Sequence, residues 1–338
     1  MSVALALAAL ITLAWLHELG HTLAARALHL HVTAVSFGLG PPLGQVRWGD
    51  TRILLGLIPF GGYVRVAELV EESCAGNPAR PGLAARLAVI LAGPLANYAV
   101  AVLLGLVVAV TWGVDQGKLE GIEVSQISQH AARMGLQIGD VVVEADGQAI
   151  RSTQDLRDRF LAAAPNPVQL AVRRLGQTIV IAVLPVAPDQ PGLGARYLPK
   201  SQLQRVSVWR AVQHALGEPI RQAAAWLGRL PRLAAISAPT RALGPVGLAD
   251  RVARSGSWDV RRALVFCGRL AVVVGLFNLL PIPGLDGGRA GLALCEAVLR
   301  RRLPPRAALV AQLTGALALF LAWAALLVMD LVALWARH

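Results

Sequence analysis

The stretch SVALALAALITLAWLHELGHTLAA, residues 2–25, decides how the rest of the chain is interpreted, because it is apolar over most of its length and polar at one place. A helix of about 20 apolar residues crosses the roughly 30 Å hydrocarbon core of a bilayer. The polar place is HELGH, residues 17–21, an HExxH pattern. The stretch therefore predicts a membrane-spanning helix with two imidazoles and a carboxylate at membrane depth.

The composition places the whole chain in the same class. Of 338 residues, 55% are hydrophobic and 15% charged, against about 25% charged in soluble domains. A disordered or fibrous protein is excluded. The net charge of +12 indicates nucleic-acid binding in soluble proteins. In a membrane protein we assign it to topology and the lipid bilayer, and expect no nucleic-acid partner. Cys74, Cys267 and Cys295 form neither a disulfide framework nor a metal motif.

Further apolar runs of spanning length lie at residues 87–112, 263–280 and 307–335. The first run lacks a basic leader and a cleavage site, so we interpret it as a span and not as a removable signal peptide. The short loop before the last run contains one acid, Glu296, and five arginines: Arg289, Arg300, Arg301, Arg302 and Arg306. By the positive-inside rule this loop is cytoplasmic, which places both termini outside the cytoplasm.

The long segment between the second and third runs alternates β-rich stretches with turn signals, which predicts a compact α+β module. We expect strands at residues 122–127, 168–172 and 178–183 and helices at 131–134 and 153–163. The pattern GIEVSQISQHAARMGLQIGDVVVEADGQAI resembles a PDZ domain of the bacterial protease type.

Residues 203–237 repeat apolar side chains every three or four positions, with arginines in between. This predicts amphipathic helices that lie on the outer membrane surface and break near Pro219 and Pro231. The alternative is a soluble helix pair packed on the PDZ module. A further short helix is predicted at residues 245–256.

Charged residues within or bordering the apolar runs are costly in lipid and therefore indicate pairing or function. Arg269 and Asp330 lie at similar depth below the outer ends of the third and fourth runs, which predicts a structural ion pair. Glu18 and Asp286 have no such cationic partner, and we assign the chemistry to them and to the histidines of HELGH.

The HExxH spacing points to a metal. His17 and His21, at i and i+4, share one helix face and suit one Zn²⁺, with Glu18 beside it as general base. A metzincin would need histidine at position 27, where Ala27 stands. His29 and His31 follow the helix and are expected at the interface. A third ligand is still required, and Asp286 is the remaining candidate, because prolines break the third helix before it in NLLPIPGLDGG, residues 278–288.

These motifs resemble the site-2 protease family of intramembrane zinc metalloproteases, peptidase family M50, in its bacterial PDZ-containing form. HELGH, AGPLANY at residues 92–98 and NLLPIPGLDGG match family motifs in order, and FGLGPPLG at 37–44 and PFGGYVR at 59–65 match further segments. The resemblance implies that one Zn²⁺ per chain binds His17, His21 and Asp286. It implies that Glu18 is the catalytic acid and base.

Other site residues follow from the same resemblance. It implies support of the active site or the substrate by Asn97, Asn278, Pro283 and Gly62. For the two asparagines a buried amide that only holds helices together remains open. The chain has room for one PDZ module, whereas some family members carry two in tandem.

The resemblance also implies a fold and a substrate. The expected fold class is a polytopic α-helical membrane protein with four transmembrane helices, a membrane-dipping β-hairpin that turns at Gly49-Asp50 and one extracytoplasmic PDZ domain. The substrates would be single-pass membrane proteins of the bacterial plasma membrane, intact or pre-cleaved, such as anti-sigma-factor-like proteins or signal-peptide remnants. The PDZ domain would bind a peptide or C-terminus. The predicted segments are 1–28 (first span), 29–86 (hairpin region), 87–112 (second span), 113–190 (PDZ domain), 191–260 (amphipathic helices), 261–290 (third span), 291–306 (cytoplasmic loop) and 307–338 (fourth span).

Two other classes compete with a protease. One is a non-catalytic membrane PDZ scaffold with a structural metal site, against which a carboxylate beside an open coordination position argues. The other is a transporter that uses intramembrane acids as a relay, against which the lack of an evident internal repeat argues.

Overall fold

The computed structural model describes residues 2–70, 81–163, 165–184, 195–228, 259–301 and 303–335. The helices are α1 (Ser2–Ala27), α2 (Ala67–Val70), α3 (Leu83–Thr111), α4 (Gln129–Arg133), α5 (Thr153–Ala163), α6 (Val208–Leu227), α7 (Val260–Asn278), α8 (Asp286–Leu299) and α9 (Pro305–Trp335). The strands are β1 (Val32–Trp48), β2 (Thr51–Val66), β3 (Val114–Ile127), β4 (Val141–Ala145), β5 (Gln148–Ala149), β6 (Val168–Arg174), β7 (Gln177–Val183) and β8 (Ala195–Gln204).

Helix α1 is a continuous helix because its Ala- and Leu-rich sequence favours one and contains no proline. It ends where His29 takes a left-handed conformation, φ 57°, and the N–H of Leu30 closes the helix on the carbonyl of Ala25 at 2.9 Å. Within the described residues, α1 over Leu7–Ala27 and α3 are long and apolar enough to cross a membrane. The count of four spans stays a prediction.

The described residues form two compact units, the first within residues 1–107, 212–249 and 264–338 and the second within residues 108–211 and 250–263. The core of the first unit joins three of the apolar helices. Leu13 of α1 and Ala101 of α3 pack with Leu270, Ala271 and Val272 of α7. These residues are small or aliphatic, so the helix backbones pack closely together.

The amphipathic segment differs from the prediction. The expected break at Pro219 is wrong, because Pro219 lies inside the continuous helix α6. Ala215 before the proline approaches Gly105 of α3, and Ala223 after it packs against the three-helix core. Tertiary packing on both sides thus outweighs the hydrogen bond that proline removes. Pro231 and the predicted helix at 245–256 lie outside the described residues.

Strands β1 and β2 form the predicted hairpin, with Trp48 paired to Thr51 across the Gly49-Asp50 turn. The hairpin folds back on itself. Residues 34–37 of β1 are matched with residues 65–62 and also with residues 52–55 of β2. Residues 34–37 are therefore interior, and residues 62–66 pair only with β1 in the described part of the chain.

The third helix stops before the prolines of the PIPG sequence, as predicted: α7 ends at Asn278 and α8 begins at Asp286. Gly284 between them has φ 97°, a backbone conformation that residues with a side chain rarely adopt. Helix α8 continues to Leu299, so much of the segment predicted as the loop 291–306 is helical.

The second unit is an α+β module with the strand order β7-β6-β4-β3-β8, to which β5 adds beside β4. Its core is apolar and centres on Phe160, Leu136 and Val142. The helix predicted at residues 153–163 is confirmed, because α5 has the same bounds. Helix α4 covers Gln129–Arg133, where a helix at residues 131–134 was predicted. Asp140, which is 1% exposed, binds Arg174 of β6 through both carboxylate oxygens.

Candidate metal centre

Three side chains from distant parts of the chain meet at the site. Nε2 of His17 lies 2.9 Å from Oδ2 of Asp286, and Nε2 of His21 lies 3.2 Å from the same oxygen. The two Nε2 atoms are 3.2 Å apart. All three residues are buried, with 7%, 7% and 6% exposure respectively.

This donor set fits a zinc ion. Two imidazole nitrogens and a carboxylate oxygen are common zinc ligands, and donor atoms about 2.0–2.1 Å from a tetrahedral ion lie roughly 3.3 Å from each other. The observed separations of 2.9 and 3.2 Å are close to that value. Three protein ligands leave one position for a water or a substrate, which is the arrangement of catalytic sites.

Residues of helix α3 contact the Nδ1 atom of each imidazole. Nδ1 of His21 donates to the carbonyl of Val89 at 2.7 Å, which leaves its Nε2 free to bind a metal. Nδ1 of His17 lies 3.2 Å from Nδ2 of Asn97, which is fully buried.

Glycines bring α1 and α3 together. A Cβ on Gly20 would lie 2.5 Å from the carbonyl oxygen of Ala92, so the glycine inside HELGH lets the helices approach. A Cβ on Gly93 would lie 2.7 Å from Nε2 of His17 and would also overlap Nε2 of His21. The imidazoles thus occupy the space that a side chain at position 93 would fill.

Sequence reasoning did not find Val89 and Gly93, although a signal existed. Both lie with Asn97 at intervals of four residues, which places all three on one face of a helix. That face is the one turned toward HELGH.

Strand β2 passes directly beside Glu18. A Cβ on Gly62 would lie 2.7 Å from Cγ of Glu18 and would overlap the carbonyl of Ser36 in β1. The hairpin is further anchored to α1 by the ring contact between Trp15 and Phe37, with centroids 5.5 Å apart. The lack of a side chain at Gly62 therefore leaves space for the Glu18 side chain. The predicted role of Gly62 in substrate binding did not include this contact.

Helix α9 fixes the loop that immediately precedes Asp286, between α7 and α8. Oε1 of Gln312 accepts the backbone N–H of Gly284 at 2.7 Å. Gly315 lies against the carbonyl of Pro283 so closely that a Cβ there would overlap it. Pro283 thus contributes packing of the ligand loop. Gln312 and Gly315 were not predicted.

A cavity of about 410 Å³ opens beside His21 and Asp286. Its lining combines apolar residues such as Val64 and Leu292 with charged residues including Arg289. The metal-type donor set is therefore buried but adjoins a partly polar space.

Asn278, Arg269 and Asp330 are not members of the donor set formed by the described residues. Nδ2 of Asn278 donates to the carbonyl of Val274, one turn earlier in the same helix, at 3.1 Å. Its role in supporting the active site stays a prediction. Arg269 is exposed on α7, and the side chain of Asp330 lies outside the described residues, so their ion pair stays a prediction.

His31 is not part of the donor set. Its backbone N–H donates to both carboxylate oxygens of Glu68, and its Nδ1 lies 2.6 Å from Oε1. Burial alone would raise the pKa of Glu68, but these hydrogen bonds outweigh burial and lower that pKa from its usual value. The pair ties the end of the hairpin to the segment that follows α1.

Comparisons with known proteins match most of the chain to one peptidase family. The family model "Peptidase family M50" matches residues 5–322. A Clostridium perfringens protein that is named as a zinc metalloprotease is 27% identical over 90% of this chain and 91% of its own length. Metalloprotease MmpA of Caulobacter vibrioides is 30% identical over 85% of this chain and 84% of its own. The match therefore includes HELGH and the loop of Asp286.

Among solved structures, the PDZ domain of an SdrC-like protein from Listeria monocytogenes is 20% identical. The match covers 23% of this chain and 88% of that one, with a TM-score of 0.22. The PDZ interpretation therefore rests on the module's own strands, helices and turns.

Proposed function

The chain belongs to peptidase family M50 and is a membrane-associated zinc metalloendopeptidase, and from this premise we propose that it hydrolyses peptide bonds inside the transmembrane segments of its substrates. One observation carries the proposal. The helix that holds His17 and His21 is itself long and apolar enough to cross a membrane, over Leu7–Ala27. Chemistry at that helix takes place at membrane depth.

In the proposed reaction, His17, His21 and Asp286 hold one zinc ion. When bound, zinc polarises the scissile carbonyl and lowers the pKa of a water molecule. A carboxylate oxygen of Glu18 accepts a proton as the water oxygen attacks the carbonyl carbon. Glu18 then gives that proton to the amide nitrogen as the C–N bond breaks, so the products are a carboxylic acid, which loses its remaining proton to solvent, and an amine.

We propose that the substrate binds as an added strand. A helical substrate must unwind before its carbonyls become accessible, and main-chain hydrogen bonds to a strand edge hold it extended with little demand on sequence. Residues 62–66 of β2 support this role, because among the described residues they pair only with β1. Gly62 in this stretch lies beside Glu18.

The proposal extends to topology and partners. We place four spans in the plasma membrane of a bacterium, with the active site toward the cytoplasm and the PDZ module and both termini outside. The substrates would be single-pass membrane proteins, intact or pre-cleaved, with a peptide or C-terminus bound by the PDZ module. The arginines that follow α8 support the orientation.

A reconstituted cleavage assay tests the proposal. The purified chain in lipid vesicles is given a single-pass reporter, and the products are sized by mass spectrometry. We expect cuts within the reporter's apolar span, their loss after treatment with a zinc chelator and their return when zinc is added. Cuts confined to the flanking segments, or cleavage indifferent to chelation, would refute intramembrane zinc proteolysis.

A further inference from the structure

The contact between Asn97 and His17 carries a consequence for metal binding. Asn97 is fully buried. As placed, its Nδ2 lies 3.2 Å from Nδ1 of His17, while its Oδ1 has no hydrogen-bond partner in the described part of the chain. An amide donor toward Nδ1 requires that Nδ1 carry no proton, which leaves the imidazole proton on Nε2.

That tautomer is incompatible with a metal at Nε2. Nε2 of His17 is the atom that faces both Asp286 and His21, and a protonated nitrogen offers no lone pair. His21 has no such conflict, because its Nδ1 donates to the carbonyl of Val89.

Reversal of the Asn97 amide resolves the conflict. The oxygen and nitrogen of an amide have nearly the same shape, and their assignment follows from the hydrogen-bond network. With Oδ1 toward His17, Nδ1–H donates to Oδ1 and Nε2 keeps its lone pair. Reversal also gives Oδ1, which has no hydrogen-bond partner as placed within the described residues, the Nδ1–H of His17 as its donor.

We propose that Asn97 is a positioning residue for the metal site: its side-chain oxygen accepts the Nδ1 proton of His17 and thereby fixes the tautomer that presents Nε2 to zinc. The inference rests on the proposed zinc function. It assigns different partners to the two imidazoles, a backbone carbonyl for His21 and a side-chain amide for His17. Both partners come from one face of α3.

Two substitutions separate this role from helix packing. Asn97→Asp keeps the acceptor oxygen and removes the donor, whereas Asn97→Leu has a similar size and removes both. In a chelator competition with the purified full chain, we expect Asn97→Leu to weaken zinc binding about 10- to 100-fold and Asn97→Asp to stay within roughly threefold. As a control, Thr22→Val removes a buried hydroxyl that donates to the Glu18 carbonyl, and it should leave zinc affinity unchanged.

The outcomes are distinct. Equal loss of zinc in Asn97→Asp and Asn97→Leu would overturn the proposal, as would full affinity in Asn97→Leu. Failure of the unsubstituted chain to bind zinc would instead refute the proposed function. The ¹⁵N spectrum of the zinc-loaded chain with labelled histidines needs no variant: Nδ1 of His17 should carry a proton, and an unprotonated Nδ1 would overturn the inference.

Discussion

Nε2 of His17 lies 2.9 Å from Oδ2 of Asp286, although 269 positions separate the two residues in the chain. The contact joins the first apolar helix to the start of α8. The intervening chain includes the whole second unit. The metal-type site thus depends on packing between α1, α3 and the loop of Asp286, and each of these contacts provides a test.

Gly93 is the closest test of helix packing at the site. In Gly93→Ala the added methyl group would overlap the imidazole nitrogens, 2.7 Å from that of His17. Overpacking typically costs about 1–3 kcal/mol, so zinc affinity should fall about 5- to 150-fold. The measurement is zinc affinity by chelator competition. Gly105→Ala on the same helix is the matched control, because its Cβ would meet Ala215 at an ordinary 3.8 Å; equal affinities for the two variants would contradict this packing.

Gly62 tests the position of the proposed base. In Gly62→Ala the methyl group would overlap the carbonyl of Ser36 and lie 2.7 Å from Cγ of Glu18, so strand β2 or Glu18 must shift, and the three nearest atoms include none of the three proposed ligands. We expect cleavage to slow about 100-fold, as for a small misplacement of a catalytic group, with zinc content unchanged. Gly44→Ala in the same hairpin meets nothing within 4 Å and should cleave normally. Undiminished cleavage by Gly62→Ala would show that β2 does not control the position of Glu18.

Gln312 tests the support of the ligand loop. Gln312→Met removes the acceptor for the N–H of Gly284, and an unpaired buried donor costs about 1–3 kcal/mol. Unfolding in detergent should therefore occur at a lower denaturant concentration, and zinc affinity should fall with it. Thr314→Val, which removes an exposed hydroxyl bonded within the same helix, should be nearly neutral. Identical unfolding of the two variants would contradict the proposed support.

Glu68 gives stability a pH dependence. Because its pKa is lowered in the folded chain, the ionised carboxylate stabilises the fold above the unfolded pKa, and this contribution is lost as the pH falls through the folded pKa. Glu68→Gln should therefore be less stable near neutral pH, and the difference from the unsubstituted chain should shrink below about pH 4. Thermal unfolding from pH 7 to 3 measures this. A difference that is constant over the range would refute the linkage.

Local spacing was enough to predict the contribution of α1. Positions i and i+4 place His17 and His21 on one helix face whatever surrounds them, and the two closely spaced prolines after Asn278 favour the end of α7. Asp286 was reached by elimination and by the family resemblance. The structure places all three donor atoms within 4.8 Å of one another.

What the sequence did not predict depends on contacts between segments distant in the chain. The space that Gly93 leaves for the imidazoles and the fit of Gly62 against Glu18 have no local signature, because a glycine is compatible with many roles. The effect of Pro219 also depends on contacts between distant segments. The predicted break is absent from α6, because Ala215 and Ala223 pack against other helices and stabilise it.

Glu18→Gln tests the central claim most directly. The substitution keeps the size of the side chain and removes its ability to accept a proton, whereas His21→Ala removes a ligand. The measurement is the zinc content of each purified variant together with its rate of cleavage of a membrane-embedded reporter. We expect Glu18→Gln to retain zinc and lose cleavage, and His21→Ala to lose both. Cleavage by Glu18→Gln at the unsubstituted rate would contradict the account.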